Sequence, residues 1–276
     1  DYHDGPITCA AISYSGVLLA TASRDKTAKL YSLATNSSVH NLKGHFQPVR
    51  SVAFSPNDRL LVTSSDDGNA ELWDTESFKN VQTLGKPTAQ SHSGWVNSAN
   101  FSRDGKRVVT ASPNDHTAKI WDVADGRCIA TFAAHDGLFD ARFSPDASLV
   151  VTACWDGVAE IWEARADGAS VRKLRRPPGE RSPWVNAACF SPDGAIVATG
   201  CMAEDAKSLR GTDAFAKLWD AGTGEILKTM KGYVGKGHSG NVSDVDFSPD
   251  GKWLATASEE RRLSSGTRRR GIVFRR

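Results

Sequence analysis

The sequence has 276 residues, of which 39% are hydrophobic and 24% are charged, and its formal net charge is +2. These values are ordinary for a soluble globular protein that is long enough to bury a sizeable core. No apolar run reaches the roughly 18 residues of a membrane-spanning helix, and the N-terminal residues lack the layout of a signal peptide. We therefore expect no membrane span. Because the chain does not start with Met, we expect it to be processed or to be part of a larger polypeptide.

Short apolar runs separated by turn residues predict β-strands from the beginning of the chain. A first set covers 7–13, 18–23, 28–31 and 39–42, and a clearer second set covers 49–54, 60–64, 70–73 and 81–84. The runs of the second set have three to six residues, which is too short for a helix and typical of strands. Turn residues stand between them at 55–58 and 66–68. Each set predicts a four-stranded antiparallel meander, which needs neighbouring sheets to cover its faces.

The same residue types return at fixed positions along the rest of the chain. Phe54-Ser55-Pro56 recurs in similar form at 101–103, 143–145, 190–192 and 247–249, and Thr63 recurs at 21, 110, 152, 199 and 256. Trp73-Asp74 recurs at 121–122 and 219–220, and loosely at 162–163 and 31–32. A period of about 40 to 45 residues with a Gly-His start and a Trp-Asp end is the signature of the WD40 repeat. The chain thus resembles the WD40 family over nearly its whole length, which implies an all-β propeller with one blade per repeat.

Six repeats are recognisable, and we interpret them as one domain covering 1–276. They lie near 3–42, 44–84, 92–132, 135–174, 181–230 and 238–276. The fifth carries an insertion at 202–212, and the sixth lacks the expected Asp and Trp after Thr256. Residues 271–274 are either a third strand of this last repeat or part of an unstructured end at 259–276. Accordingly, the protein is either a six-bladed ring with an open seam or part of a seven-bladed ring.

A His, a Thr, an Asp and an aromatic residue recur in nearly every repeat. A His, an Asp and a hydroxyl together suggest a nucleophilic triad, but an active site is needed only once in a chain. In the WD40 family these residues form a buried hydrogen-bond chain, so the resemblance implies a structural role, no catalytic residue and no enzyme activity. The residues concerned are His45, Thr63, Asp67 and Trp73; His92, Thr110, Asp115 and Trp121; and His135, Thr152, Asp156 and Trp162.

Cysteine usage favours an intracellular compartment. The count of five is odd, and no Cys-x-x-Cys pair is present. Reduced, buried thiols are therefore expected, in place of a disulfide framework or a metal site. The sequence predicts a cytoplasmic or nuclear protein that needs no metal and no cofactor.

Four aromatic residues stand outside the repeated network, near the predicted loops of the third to fifth repeats. Trp95 and Trp184 each precede the first Val of a first strand, Phe139 begins the fourth repeat, and Trp155 occupies a hairpin. Exposed aromatic side chains are frequent at protein interfaces, although packing against adjacent loops is the alternative. We predict a partner-binding surface here. Arg24, Asp66 and Asn114 occupy the equivalent hairpin positions and would add polar specificity.

A basic segment offers a second candidate site. It contains Arg172, Lys173, Arg175, Arg176 and Arg181, and the last 16 residues, 261–276, add seven Arg and no acid. Such a segment would meet nucleic acid, an acidic peptide or a phosphorylated partner, whereas the ordinary interpretation is a solvated edge strand. The favoured function is therefore a non-catalytic scaffold for protein or peptide partners, and anion binding is the alternative.

Overall fold

Antiparallel β-strands are the only regular secondary structure among the described residues. The structure is a computed structural model and describes residues 2–85, 90–175, 184–201, 215–231, 241–261 and 267–275. The chain divides into two compact units, 1–141 with 164–168 and 142–163 with 169–276. Each unit is considered by itself, and the single domain expected for 1–276 stays a prediction.

Unit 1 begins with three four-stranded sheets, each of which pairs its strands in sequence order. The first sheet consists of β1 (Ile7–Ile12), β2 (Leu18–Ser23), β3 (Thr27–Ser32) and β4 (Ser37–Lys43). The second consists of β5 (Val49–Phe54), β6 (Leu60–Ser65), β7 (Ala70–Asp74) and β8 (Asn80–Leu84). The third consists of β9 (Ser98–Phe101), β10 (Arg107–Ser112), β11 (Thr117–Asp122) and β12 (Cys128–Ala133).

The later strands follow the same order, and the last three form a three-stranded sheet. The fourth sheet consists of β13 (Leu138–Phe143), β14 (Leu149–Cys154), β15 (Ala159–Glu163) and β16 (Ser170–Leu174). The fifth consists of β17 (Val185–Phe190), β18 (Ile196–Cys201), β19 (Phe215–Asp220) and β20 (Ile226–Lys231). The sixth consists of β21 (Asn241–Phe247), β22 (Trp253–Arg261) and β23 (Thr267–Arg275). Strand β23 pairs with β22 through residues 271–274, which confirms the third strand considered for the last repeat. The insertion at 202–212 lies outside the described residues.

The turn between the first and second strands is built by a serine side chain. In the second sheet, the amide of Leu60 donates to Ser55 Oγ at 2.9 Å, and the amide of Ser55 donates to the carbonyl of Leu60 at 2.8 Å. The fourth turn residue, Asp58, has φ +58°, and its equivalents in the other sheets also have positive φ. Glycine occupies most of these positions because it adopts this conformation without steric cost. The sequence Phe-Ser-Pro-x-x therefore specifies a hairpin.

In each unit, the second strand of one sheet packs against the first strand of the next sheet. In unit 1, Ala20, Ala22 and Leu30 share a buried cluster with Val49 and Val52. In unit 2, β18 lies so close to β21 that a Cβ on Gly200 would come within 2.8 Å of Val242 Cγ1. The interior second strands β6, β10, β14 and β18 are consequently buried on both faces, which explains why their sequences are apolar or small throughout.

A β-bulge begins the first strand of several sheets. The strand register skips one residue near the start of β1, β5, β17 and β21. The skipped residues are Thr8, Arg50, Asn186 and Ser243. A bulge redirects the side chain of the extra residue. In each of these sheets, one side chain at the start of the first strand therefore departs from the regular alternation of the strand. The loop before each first strand, here called the leading loop, and the hairpin between the second and third strands end at this same edge.

Candidate functional site

The recurring His, Thr, Asp and Trp of the second sheet form a buried chain of hydrogen bonds. His45 Nδ1 lies 2.8 Å from Asp67 Oδ2, and His45 Nε2 lies 2.8 Å from Thr63 Oγ1. Trp73 Nε1 donates to the same Thr63 oxygen at 2.9 Å. A carboxylate only accepts, so Nδ1 donates to Asp67, and the Thr63 hydroxyl accepts from the indole, which only donates. The chain ties the leading loop to the second hairpin.

The third and first sheets repeat this arrangement. His92 bonds Asp115 at 2.8 Å and Thr110 at 2.7 Å, and Trp121 Nε1 donates to Thr110 at 2.8 Å. In the first sheet, His3 bonds Asp25 and Thr21 at 2.7 and 2.8 Å. Both ring nitrogens of each histidine are engaged, so neither is available as a general base toward a substrate. Recurrence and geometry both indicate a structural role.

The bond between the indole and the threonine recurs in unit 2, whereas His135, at the end of unit 1, departs from the prediction. The Trp162 indole donates to Thr152 at 3.0 Å, and the Trp219 indole donates to Thr199 at 2.9 Å. His135 is exposed, whereas His45 and His92 are buried, so the prediction of a buried histidine at this position is wrong. The reason lies in the length of the leading loop. His45 and His92 each precede the next Phe-Ser by nine positions, but His135 precedes Phe143 by eight.

Burial and hydrogen bonding oppose each other at the buried carboxylates. Burial raises the pKa of the Asp67 carboxyl, but the bonds with His45 and Asn69 outweigh it and hold the pKa below its ordinary value. The pKa of Asp115 is lowered in the same way by His92 and Thr117. Burial lowers the pKa of His92, and the neighbouring Asp115 only partly offsets this. At neutral pH the third sheet therefore pairs a neutral His92 imidazole with the Asp115 carboxylate.

Trp95 and a rigid ion pair form one exposed surface in unit 1. Arg50 donates from Nε and Nη2 to the two carboxylate oxygens of Asp66, at 2.5 and 2.8 Å. The Arg50 guanidinium carbon lies 5.1 Å from the centroid of the Trp95 ring, which places a cation over the indole. Trp95 nevertheless keeps 44% of its surface exposed. We call Arg50, Asp66 and Trp95 the Trp95 surface.

The other sequence-predicted residues of unit 1 occupy the equivalent edge of their own sheets. Asn114 is exposed, and its side chain packs so closely on Gly94 that a Cβ there would lie 2.3 Å from Asn114 Cβ. Phe139 is half-buried, and its carbonyl accepts from Asn97 Nδ2 at 2.8 Å. Arg24 is exposed in the hairpin of the first sheet. Of these residues, Asn114 is directly linked to the leading loop that carries Trp95.

A pair of tryptophans forms the second exposed surface, in unit 2. The rings of Trp155 and Trp184 lie 5.3 Å apart with an interplanar angle of 32°. Trp155 sits in the hairpin between β14 and β15, and Trp184 precedes β17 and is 46% exposed. The predicted proximity of these two residues is confirmed. We call them the Trp184 surface.

Two side chains of the basic segment bind acceptors within the protein. Arg172 Nη1 donates to the carbonyl of Thr223 at 2.8 Å, and Lys173 Nζ lies 3.3 Å from the buried Glu160 carboxylate. Arg175 is exposed, while Arg176 and Arg181 lie outside the described residues. Two of the five basic groups are thus held by internal acceptors. The contacts of β16 therefore favour a structural role for Arg172 and Lys173 over anion binding.

Arg50 is a residue of this edge that the sequence analysis missed. Its position in the repeat carries Thr8, Asn97, Phe139, Asn186 and Ser243 in the other repeats, so it is the only charged residue in that column. Aligning the repeats one position after the first Val would have revealed it. The signal is weak by itself because polar residues are common on loops.

The described ranges also bear on metal ligands, membrane spans and cysteines. No group of three or more His, Cys, Asp or Glu side chains is placed there to hold a metal ion. No helix that is long and apolar enough to cross a membrane occurs in the same ranges. All five cysteines lie in described strands and are reduced thiols.

Comparison with known proteins places these sheets in a wider context. A family model described as WD domain, G-beta repeat matches residues 1–32, 36–74, 81–122, 126–163, 171–220 and 225–264. The chain is 26% identical over 276 residues to nuclear distribution protein nudF of Aspergillus niger, covering 95% of this chain and 59% of nudF. It is 28% identical over 271 residues to a guanine nucleotide-binding protein subunit beta of Nicotiana tabacum, covering 93% and 68%. It is 27% identical over 249 residues to pre-mRNA-processing factor 19 of Oryza sativa subsp. japonica, covering 89% and 43%. The chain therefore spans less than two thirds of nudF and less than half of pre-mRNA-processing factor 19.

Proposed function

Because the chain belongs to the WD40 repeat family, as an all-β protein with six propeller-type repeats, we propose that it is a non-catalytic scaffold that docks other proteins or peptide segments. Members of this family generally act through protein interaction, and the tobacco relative is by its name a subunit of a larger assembly. The observation that carries the proposal is the exposure of Trp95 and Trp184 on well-supported surfaces. Large aromatic side chains of this kind dominate interface hot spots.

The two surfaces are suited to docking because their scaffolds are fixed. Trp95 lies beneath a guanidinium that a bidentate ion pair holds in place, and Trp184 packs on a second indole from a strand hairpin. A side chain that is already ordered loses little entropy when a partner covers it. Each surface can therefore contribute apolar burial to a complex at a low ordering cost.

A capture experiment with matched variants tests the docking proposal. Trp95→Ala and Trp184→Ala each remove an exposed aromatic ring, and Leu227→Ala removes an apolar side chain of β20 that is 52% exposed. We expect at least one tryptophan variant to lose proteins that the immobilised wild type retains from a cell extract, while Leu227→Ala retains them. Quantitative mass spectrometry and rebinding of each purified protein provide the measurement, and circular dichroism checks the fold.

Other outcomes of the capture experiment are equally informative. Identical capture by wild type and both tryptophan variants would contradict docking at these surfaces. Partners that both tryptophan variants retain, but that moderate salt removes, would move the function to the basic segment, because such binding is electrostatic.

We also propose a cytoplasmic or nuclear location. The five reduced thiols support this proposal, because disulfides are rare in these compartments. Imaging of a fluorescent fusion in the source cells would check it, and a secreted fusion would contradict it.

A further inference from the structure

The bulge position at the start of the first strands has a common task within the protein. Thr8 Oγ1 donates to the carbonyl of Val49 at 2.7 Å, and Asn186 Nδ2 donates to the carbonyl of Val242 at 3.1 Å. Asn97, at the same position of its repeat, donates to the carbonyl of Phe139 at 2.8 Å. In each case a side-chain donor reaches the main chain of the first strand in the next sheet.

Arg50 occupies this position in the second sheet but does something else. Its Nε and Nη2 groups donate to Asp66, in the hairpin of its own sheet, and its guanidinium lies over the Trp95 ring. In the first, third and fifth sheets the side chain at this position bonds the neighbouring sheet. In the second sheet it is directed toward an exposed surface instead. An arginine at this position, where those sheets have a short polar residue, therefore places its guanidinium against Asp66 and Trp95.

The ion pair leaves Arg50 with donors for a ligand. A guanidinium has five N–H groups, and the bidentate contact with Asp66 uses one on Nε and one on Nη2. Among the described residues, the Nη1 group of Arg50 donates to no acceptor, and 23% of the side chain is exposed. Asp66 and Trp95 fix the plane of the guanidinium, so these donors point in a defined direction.

We propose that Arg50 donates to a main-chain carbonyl of a bound, extended peptide segment whose neighbouring apolar side chain covers Trp95. This inference rests on the proposed docking function and names its ligand. The Arg50–Asp66 pair is neutral as a whole, so it offers donors without net charge. A neutral carbonyl matches this better than a carboxylate, which the nearby Asp66 would repel.

The probe for this proposal is a displayed random-peptide library selected on the wild-type chain. We expect the enriched peptides to carry an aromatic or aliphatic residue and no excess of acidic residues. Their affinity is expected to fall about tenfold or more in Arg50→Ala, because a hydrogen bond to a charged donor contributes about 1.5–3 kcal/mol. Arg50→Lys should not restore it, since an ammonium lacks the planar fork.

Two controls separate this role from a structural one. Thr8→Ala removes the donor at the same position of the first sheet, where the hydroxyl serves an internal bond, and should leave peptide affinity unchanged. Amide-to-ester replacement along the peptide weakens one carbonyl acceptor at a time. One replacement is expected to weaken binding to the wild type and to have no effect on Arg50→Ala, as in a double-mutant cycle.

The outcomes distinguish this inference from the general docking proposal. If the wild type enriches no peptide, docking of peptide segments and this inference both fail. If peptides are enriched but bind Arg50→Ala equally well, docking stands and the inference is wrong. If affinity falls steeply with salt and the peptides are acidic, the ligand group is a carboxylate and the neutral-carbonyl proposal is overturned.

Discussion

At the residue scale, the repeated network shows how identical side chains acquire their role from burial. His45 and Asp67 are almost fully buried, and every hydrogen-bonding group of the His45 ring is matched by Asp67 or Thr63. An unmatched buried partner would cost more than the bond itself contributes. The network is therefore most sensitive to changes that remove one member and keep the others buried.

We predict that Asp67→Asn destabilises the protein by about 1–3 kcal/mol, because a neutral amide replaces a buried acceptor of several donors. The carboxylate accepts from His45 and from the main chain and side chain of Asn69. Urea unfolding followed by circular dichroism measures the free energy of unfolding. The control, Asp125→Asn, changes a mostly exposed carboxylate paired with an exposed Arg127 and should lie within about 0.5 kcal/mol of wild type. Equal stability of Asp67→Asn and wild type would refute the structural role.

At the element scale, small residues in the second strands set the spacing between neighbouring sheets. The residue after the network threonine is Ala22, Ser64, Ala111, Ala153 or Gly200. At Gly200 the next sheet approaches so closely that an added Cβ would meet methyl groups of Val242 and Val245, at 2.8 and 3.0 Å. The glycine is thus required by packing, since it does not adopt a left-handed backbone conformation there.

We predict that Gly200→Ala lowers stability by about 1–3 kcal/mol through overpacking between β18 and β21. Replacement of a strand glycine by alanine usually stabilises, because it reduces the entropy of the unfolded chain, so the expected sign is diagnostic. Gly222→Ala is the control, since an added Cβ there would approach no backbone or core atom and only one side-chain atom, a carboxylate oxygen of Asp220 at 3.3 Å. Thermal melting of both variants provides the comparison. A stabilised Gly200→Ala protein would show that the two sheets separate easily.

The last sheet differs from the interior ones in its exposed face. Trp253 and Ala255 of β22 are exposed, whereas the corresponding residues of β18, Ile196 and Ala198, are buried. Trp253 and Phe247 line an open, largely apolar cavity of about 490 Å³ beside this face. The alternation of exposed and buried residues in β22 is the pattern of a strand with one solvent-facing side.

At the scale of the whole molecule, the free energy of unfolding in acid depends on the protonation of several groups whose pKa values the fold changes. The folded protein lowers the pKa of His92 and of several aspartates, among them Asp25, Asp67 and Asp115. For His92, the unfolded chain binds more protons just below the ordinary histidine pKa of about 6.5, so stability falls as the pH drops below that value. For the aspartates, stability is complete above about pH 3.9 and is lost as the pH falls through their lower folded pKa values.

We therefore predict two phases of acid destabilisation, one beginning below about pH 6.5 and one below about pH 4. Free energies of unfolding measured across this range should show a smaller first phase in His92→Asn. His135→Asn changes an exposed histidine, so its free energy of unfolding should vary with pH as that of the wild type does. A first phase of undiminished size in His92→Asn would show that this imidazole is not held neutral by the fold.

The strands and turns could be predicted from the sequence, because each depends on the chemistry of neighbouring residues. Short apolar runs bounded by Ser-Pro turns predicted the strands, and the resemblance to the WD40 family implied the bonds seen around Thr63 and Thr110. The exposed His135 shows the limit of this reasoning. A one-residue shortening of a leading loop changes which way a side chain faces, and residue type alone does not reveal it.

The contacts between side chains of different loops depend on how the sheets pack. Arg50 and Trp95 lie 45 positions apart, and their contact depends on a bulge in β5 and on the packing of β5 against β9. In the sequence, Arg172 and Lys173 are part of a charged segment. In the structure, Arg172 donates to the carbonyl of Thr223 and Lys173 lies beside the carboxylate of Glu160. Contacts between distant residues depend on backbone geometry summed over many residues. Local sequence patterns therefore predict the strands, and the packing of the sheets selects the surface that a partner can recognise.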